Sequence, residues 1–271
     1  MNDQIRSGAR RLGLWIAVWM MVSATVCVAQ PTAKAQDPQV AEIEAQIQQL
    51  ESRLAALRRS VAPADEESVK PGINDSWKSS NIEPLVARLE AESREIFTKR
   101  EEIAALVGPE PGSVVADVGA GSGFMAMLFA ERVGPKGKVI AVDINDTLLD
   151  SVAKHAKEQG LSNLETVVCT EKSVELPPAS VDLIFICDTY HHFEYPQSTL
   201  ATIYRALKPG GQLVVIDFHR IPGVSPEWIL GHVRAGQEVF SSEITAAGFD
   251  LVNVHTGPLL EQNYVLRFLK R

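Results

Sequence analysis

Val114-Val115-Ala116-Asp117-Val118-Gly119-Ala120-Gly121-Ser122-Gly123-Phe124 decides how this chain folds. The first five residues are an apolar run interrupted once by an acid, as expected of a strand covered on both faces. Three glycines at alternate positions then allow a tight turn and a close backbone approach to a ligand. The apolar stretch from Phe124 to Val133 begins a helix whose first amides point back at that turn. A dinucleotide fingerprint, Gly-x-Gly-x-x-Gly, needs its third glycine at 124, where Phe124 stands instead, so the turn is not shaped for a pyrophosphate.

Strands alternate with helices outward from this turn. Expected strands are Ser113–Val118, Lys138–Val142, Leu164–Cys169, Val181–Cys187, Gln212–Asp217, Phe249–His255 and Tyr264–Leu269. Expected helices are Phe124–Val133, Asn145–Gln159, Gln197–Leu207 and Ser241–Ala247, preceded by a helical stretch from Glu83 to Val107. The alternation predicts an α/β fold with a doubly wound, seven-stranded, mostly parallel sheet. The last two strands are too close in sequence for a parallel crossover, so they should form a C-terminal antiparallel hairpin. Asp143 ends the second strand, twenty residues after Gly123, where an acid can accept hydrogen bonds from both hydroxyls of a ribose. Its competing role is to cap the next helix, for which Asn145 is better placed.

The segments before residue 82 differ in kind. Arg6, Arg10 and Arg11 precede an apolar run from Leu12 to Ala29, and small residues follow. Residues 1–35 read as a signal peptide, cleaved after Ala29 or Ala35, or else as a membrane anchor through 12–29. Either places the rest of the chain outside the cytoplasm, exported or membrane-anchored. Val40, Ile43, Ile47, Leu50, Leu54, Leu57 and Val61 step by threes and fours, so 38–61 reads as an amphipathic or coiled-coil helix able to pair two copies through residues 40–61. Residues 62–81, with Pro63, Pro71, Gly72 and Asn74, read as a linker, leaving 82–271 as the main domain. The net charge of −8 lacks the basic footprint of a nucleic-acid binder. Cys27, Cys169 and Cys187 show no zinc or disulfide spacing.

The run Val114–Phe124 resembles motif I of the class I S-adenosylmethionine-dependent methyltransferases, and Val139–Asp143 resembles their acidic second motif. Cys169-Thr170-Glu171, Leu176–Asp182, Leu207-Lys208-Pro209-Gly210-Gly211 and Ala246-Ala247-Gly248-Phe249 resemble further family segments in the family's order, so that the resemblance spans about residues 83–271. It implies a Rossmann-like fold and S-adenosyl-L-methionine as cofactor; it does not name the acceptor, which is read as a small molecule or a small group on a larger one. Carried over, Asp117 with the backbone of Gly119, Gly121 and Gly123 would hold the methionine moiety. Asp143 would take the ribose, Glu171 would approach the adenine, and Asp188 would line the pocket. Export is in tension with this, because the cofactor is made and kept in the cytoplasm. Two alternatives therefore stand beside the methyltransferase: a non-catalytic envelope protein that binds the cofactor or another nucleotide, and an NAD-dependent oxidoreductase, against which Phe124 argues.

Methyl transfer from a sulfonium needs alignment and, for some acceptors, a base. The candidates follow the fourth strand: Tyr190, His191 and His192. Ligands of open α/β sheets sit at the carboxyl ends of strands, so this loop should face the methyl group. Adjacent histidines on a turn are expected to diverge, with one acting as base or substrate contact. Ile221–Val239, which holds Trp228 and His232, reads as a lid or a packing segment. No metal is expected, since the spacing of His219 to the 191/192 pair supports none.

Overall fold

The computed structural model of the chain describes residues 65–92, 94–255 and 257–271, with positions 39, 40, 42, 43, 46, 47, 49 and 50. The expected leader lies outside the described residues, as do the seam positions Leu54, Leu57 and Val61. Val40, Ile43 and Ile47 are helical and exposed. No helix among the described residues is long and apolar enough to cross a membrane.

The main unit is built on strands β1 (Val114–Val118), β2 (Lys138–Asp143), β3 (Leu164–Val168), β4 (Val181–Cys187), β5 (Leu207–Phe218), β6 (Phe249–His255) and β7 (Asn263–Lys270). They form one sheet in the order β3-β2-β1-β4-β5-β7-β6. The first five are parallel, and β7 inserts antiparallel between β5 and β6. The expected hairpin is present, and its second strand pairs with the parallel core. Helices α1 (Glu83–Leu89), α2 (Glu95–Thr98), α3 (Arg100–Val107), α4 (Phe124–Val133), α5 (Asp146–Glu158), α6 (Pro196–Ala206), α7 (Glu227–His232) and α8 (Gln237–Ala246) flank the sheet.

Alternation along the strands explains the two core layers. Val115, Val139, Leu183, Phe185 and Val214 pack into one, with α4. Ala116, Ile140, Ile184, Ile186 and Val215 pack into the other, with α6 and α8. Phe185 meets Phe129 of α4 edge-on, with centroids 5.1 Å apart, and both are fully buried. Such a pair adds about 0.5–1.5 kcal/mol to area burial.

Three expectations need correction. The stretch Glu83–Val107 is three helices rather than one. Its break has a tertiary cause, because the Arg94 guanidinium donates to Leu89 O and to Asp188 beyond β4, which holds Arg94 extended. The strand expected at Gln212 begins at Leu207, with the Lys208–Gly211 turn retained as an irregularity against β4. The described part of 62–81 is not a free linker but packs onto the main domain. Glu66 accepts from the amides of Gln197 and Ser198 at the start of α6, and Ser68 donates to Glu194. A short 3-10 helix, Asp75–Lys78, then lies over the strand ends.

Candidate active site

The tips of β1 and β2 are joined directly. Val142 O accepts from the amides of Gly119 and Ala120 at 2.7 and 3.1 Å. The Asp143 carboxylate accepts from the amides of Gly121 and Asn145, each at 2.9 Å. Gly119 has φ +77°, and a Cβ there would sit 2.2 Å from Thr189 Cγ2, so only glycine fits between the β1 and β4 loops. Asn145 caps α5 by accepting from Leu148 N, as expected, while its amide donates to Trp77 O and Ser79 O at 2.6 and 2.9 Å.

In front of these tips lies one cavity of about 590 Å³, within the range of small-molecule sites. Asp117, Gly119, Gly121, Asp143, Glu171 and Asp188 line it, as six of the seven expected cofactor contacts should. Gly123 does not line it. A Cβ at Gly123 would press on Val152 of α5 at 2.6 Å, so this glycine serves helix packing instead.

Three carboxylates in the cavity are in different states. Asp117 is buried, accepts from Ala126 N, and has Oδ2 without a partner. Burial, and then the nearby Asp143 charge, push its pKa up to about 7. Such an acceptor awaits a cationic donor, and the fit to the amino group of a methionine tail is direct. Asp143 is also raised by burial, opposed by its backbone donors, and its two oxygens retain lone pairs for ribose hydroxyls. Asp188 is already engaged. It adopts φ +49°, and its oxygens accept from Arg94 and Asn263, each at 2.5 Å. It therefore positions Arg94, which lines the cavity and would supply a cation for the carboxylate of such a tail. Glu171 pairs with Lys78 at 2.5 Å near the surface. Glycine cradle, orphan acid, adjacent cation and ribose acid together fit S-adenosylmethionine.

The far end of the cavity is lined by histidines. The 3-10 turn Tyr190–His192 does not make them diverge. Both rings line the cavity, with centroids 4.4 Å apart. The buried Asp217 of β5 sets His191, accepting from its backbone N at 3.0 Å and meeting its Nδ1 at 2.8 Å. His232 of α7 brings its Nε2 to 3.2 Å from His192 Nε2. Burial, and then neighbouring positive groups, lower His192 to about 2 and His232 to about 4, so both are neutral near pH 7. Trp77 meets His192 edge-on with centroids 5.8 Å apart. Tyr190 is a correction: its ring is buried outside the cavity wall, and its hydroxyl donates to Glu243 at 2.9 Å, beside the Arg234–Glu243 ion pair. It is a packing residue. His219 is also apart, stacked edge-on against Tyr264.

Sequence reasoning missed Trp77, Arg94 and Asp217 and left His232 without a role. A tryptophan inside a Pro/Gly-rich segment was the one local sign. The others reach the site only through the fold.

A doubly wound sheet with a glycine turn, a ribose-type acid and a deep cavity at its carboxyl edge defines a Rossmann-like nucleoside-binding protein. Comparison with known proteins narrows this. Residues 116–215 match the family model described as a methyltransferase domain. The ubiquinone/menaquinone biosynthesis C-methyltransferase UbiE of Hydrogenovibrio crunogenus is 32% identical over 117 residues, 43% of this chain and 46% of that one. Its counterpart from Bordetella avium is 34% identical over 111 residues, 41% and 43% of the two chains. The chain thus spans a little under half the length of these curated relatives. Among solved structures, a SAM-dependent methyltransferase from Aquifex aeolicus superposes with a TM-score of 0.60 at 26% identity, over 69% of this chain and 97% of that one. The [4+2]-cyclase SpnF superposes with a TM-score of 0.57 at 19% identity, over 72% and 76%, a likeness of fold alone. Residues 116–215 thus match a methyltransferase domain, on a fold shared with a solved SAM-dependent methyltransferase.

Proposed function

We propose that this protein transfers a methyl group from S-adenosylmethionine to a small-molecule acceptor seated against His191 and His192. The observation that carries the reading is that one cavity joins the Gly119–Asp143 cradle to the Asp217-held His191. S-adenosylmethionine, when bound, supplies a methyl carbon already activated by the sulfonium charge. This chain's residues do the rest. Asp143 accepts from the ribose hydroxyls, Asp117 from the ammonium of the tail, and Arg94 donates to its carboxylate. Asp217 keeps the Nδ1–H tautomer of His191, so that Nε2 carries the lone pair that takes the acceptor's proton. The apolar walls from Phe218, Trp228 and Trp77 suit an acceptor with a flat or apolar body.

The relatives named as acting in ubiquinone and menaquinone biosynthesis favour such an acceptor. The basic and apolar leader supports export or membrane attachment through residues 12–29, and the seam at 40–61 supports a homodimer. The test is calorimetric binding of S-adenosylmethionine to the full chain, followed by transfer of labelled methyl to a panel of hydroxylated aromatic and quinol acceptors. Micromolar binding lost in Asp143→Ala, with label incorporated, supports the reading. Binding without incorporation into any acceptor leaves a binding protein, and no binding sinks both.

A further inference from the structure

Three imidazoles cluster at the acceptor end of the cavity. One ring nitrogen from each of His191, His192 and His232 lies within 4.8 Å of the other two, the one such group of three among the described residues. The 3.2 Å between His192 Nε2 and His232 Nε2 is close to the spacing of about 3.4 Å that two nitrogens take on a tetrahedral ion with bonds of about 2.1 Å. His191 Nδ1 is held by buried Asp217 at 2.8 Å, which leaves Nε2 as its free donor. A carboxylate on the outer nitrogen is what a metal-bound histidine needs to fix its tautomer and raise its basicity. His192 Nδ1 is buried without a partner, so nothing holds that ring's tautomer against a ligand on Nε2. The elements are independently braced. Lys70 donates to His232 O and to Gly231 O, which fixes the end of α7, and Arg220 donates to Val233 O and Leu230 O. Asn74 donates to His192 O.

We propose that His191, His192 and His232 form a three-imidazole site for a divalent cation of the zinc class, with its fourth position open to the cavity. Three neutral nitrogen donors and no thiolate or carboxylate in the inner set suit Zn²⁺, Co²⁺ or Cu²⁺ and disfavour Mg²⁺ and Ca²⁺. An ion there makes His191 a ligand rather than a base. It then takes an oxygen of water or of the acceptor as its fourth ligand and lowers the pKa of that group. This site goes beyond the methyl-transfer reading and is measured without the cofactor.

The experiment is titration of the chelator-stripped, tag-free full chain with Co²⁺, read by the visible spectrum of a four-coordinate ion, and with Zn²⁺ against a chromophoric chelator. One equivalent of each is expected. His232→Ala, at the partly buried ligand and the least disruptive change, should weaken binding at least about 100-fold, and Asp217→Asn about 10- to 100-fold. His219→Ala should leave binding unchanged. Retained S-adenosylmethionine binding and an unaltered thermal melt in His232→Ala would show that the loss is local. Absence of a stoichiometric ion in the native chain, or equal affinity in His232→Ala, overturns the proposal. His192→Ala, read the same way, repeats the test from the opposite ligand.

Discussion

The two ends of the cavity are built by different means. The nucleoside end is built mostly on one stretch of chain, Asp117 to Asn145, in which strand, turn and helix follow each other, with Arg94, Glu171 and Asp188 added from elsewhere. The acceptor end comes from four segments far apart in sequence: Asn74 and Trp77, the 190–192 turn, Asp217 on β5, and His232 on α7. The first is specified by local sequence and is common to a fold that also carries a cyclase. The second is assembled by tertiary packing alone and is where this chain's chemistry is decided.

The sharpest way to separate the two ends is Asp217→Asn. An amide cannot hold the His191 tautomer, so turnover should fall by about 10²–10⁴ with cofactor affinity unchanged, measured as kcat beside calorimetric Kd. A parallel loss of cofactor affinity would mean the ends are not separable. Asp143→Ala acts on the other end. Losing two charge-assisted hydrogen bonds should weaken S-adenosylmethionine about 10²- to 10³-fold.

Asp117 tests how far the nucleoside end has sacrificed stability for binding. Its carboxyl titrates near 7 in the fold against 3.8 as the ordinary value. The folded state therefore holds its proton more tightly, and the stability this gives is full below about pH 4 and lost as pH rises through 7. Asp117→Asn removes that loss. The ligand-free variant should match the native chain at pH 4 and exceed it by about 4 kcal/mol at pH 8, in denaturant melts, while binding the cofactor worse at both. Lys78→Ala is the smallest change. Its pair with Glu171 lies near the surface, so stability should move by less than about 1 kcal/mol.

The sequence carried the nucleoside end because its determinants are periodic and adjacent. Phe124–Val133 was read to the residue, and Asn145 caps the next helix as expected while Asp143 lines the cavity. The failures share one cause. Glu83–Val107 has helix-forming composition, but the reach of Arg94 to Asp188 breaks it. Tyr190 looked like its histidine neighbours, yet the Arg234–Glu243 pair draws its hydroxyl to the other side of the turn. Residues 65–81 have a linker's composition, and only their docking against α6 and Asn145 gives them a place. Gly123 matched a binding pattern but fills a packing role, because periodicity does not tell which side of a turn a missing Cβ serves.

The four-residue helix Asp75–Lys78 touches everything that matters at the mouth. Lys78 pairs with Glu171, Trp77 O is held by Asn145, and the Trp77 ring abuts His192. Were binding at one end to shift this helix, the shift would be felt at the other, and linkage would make that coupling reciprocal for the two affinities.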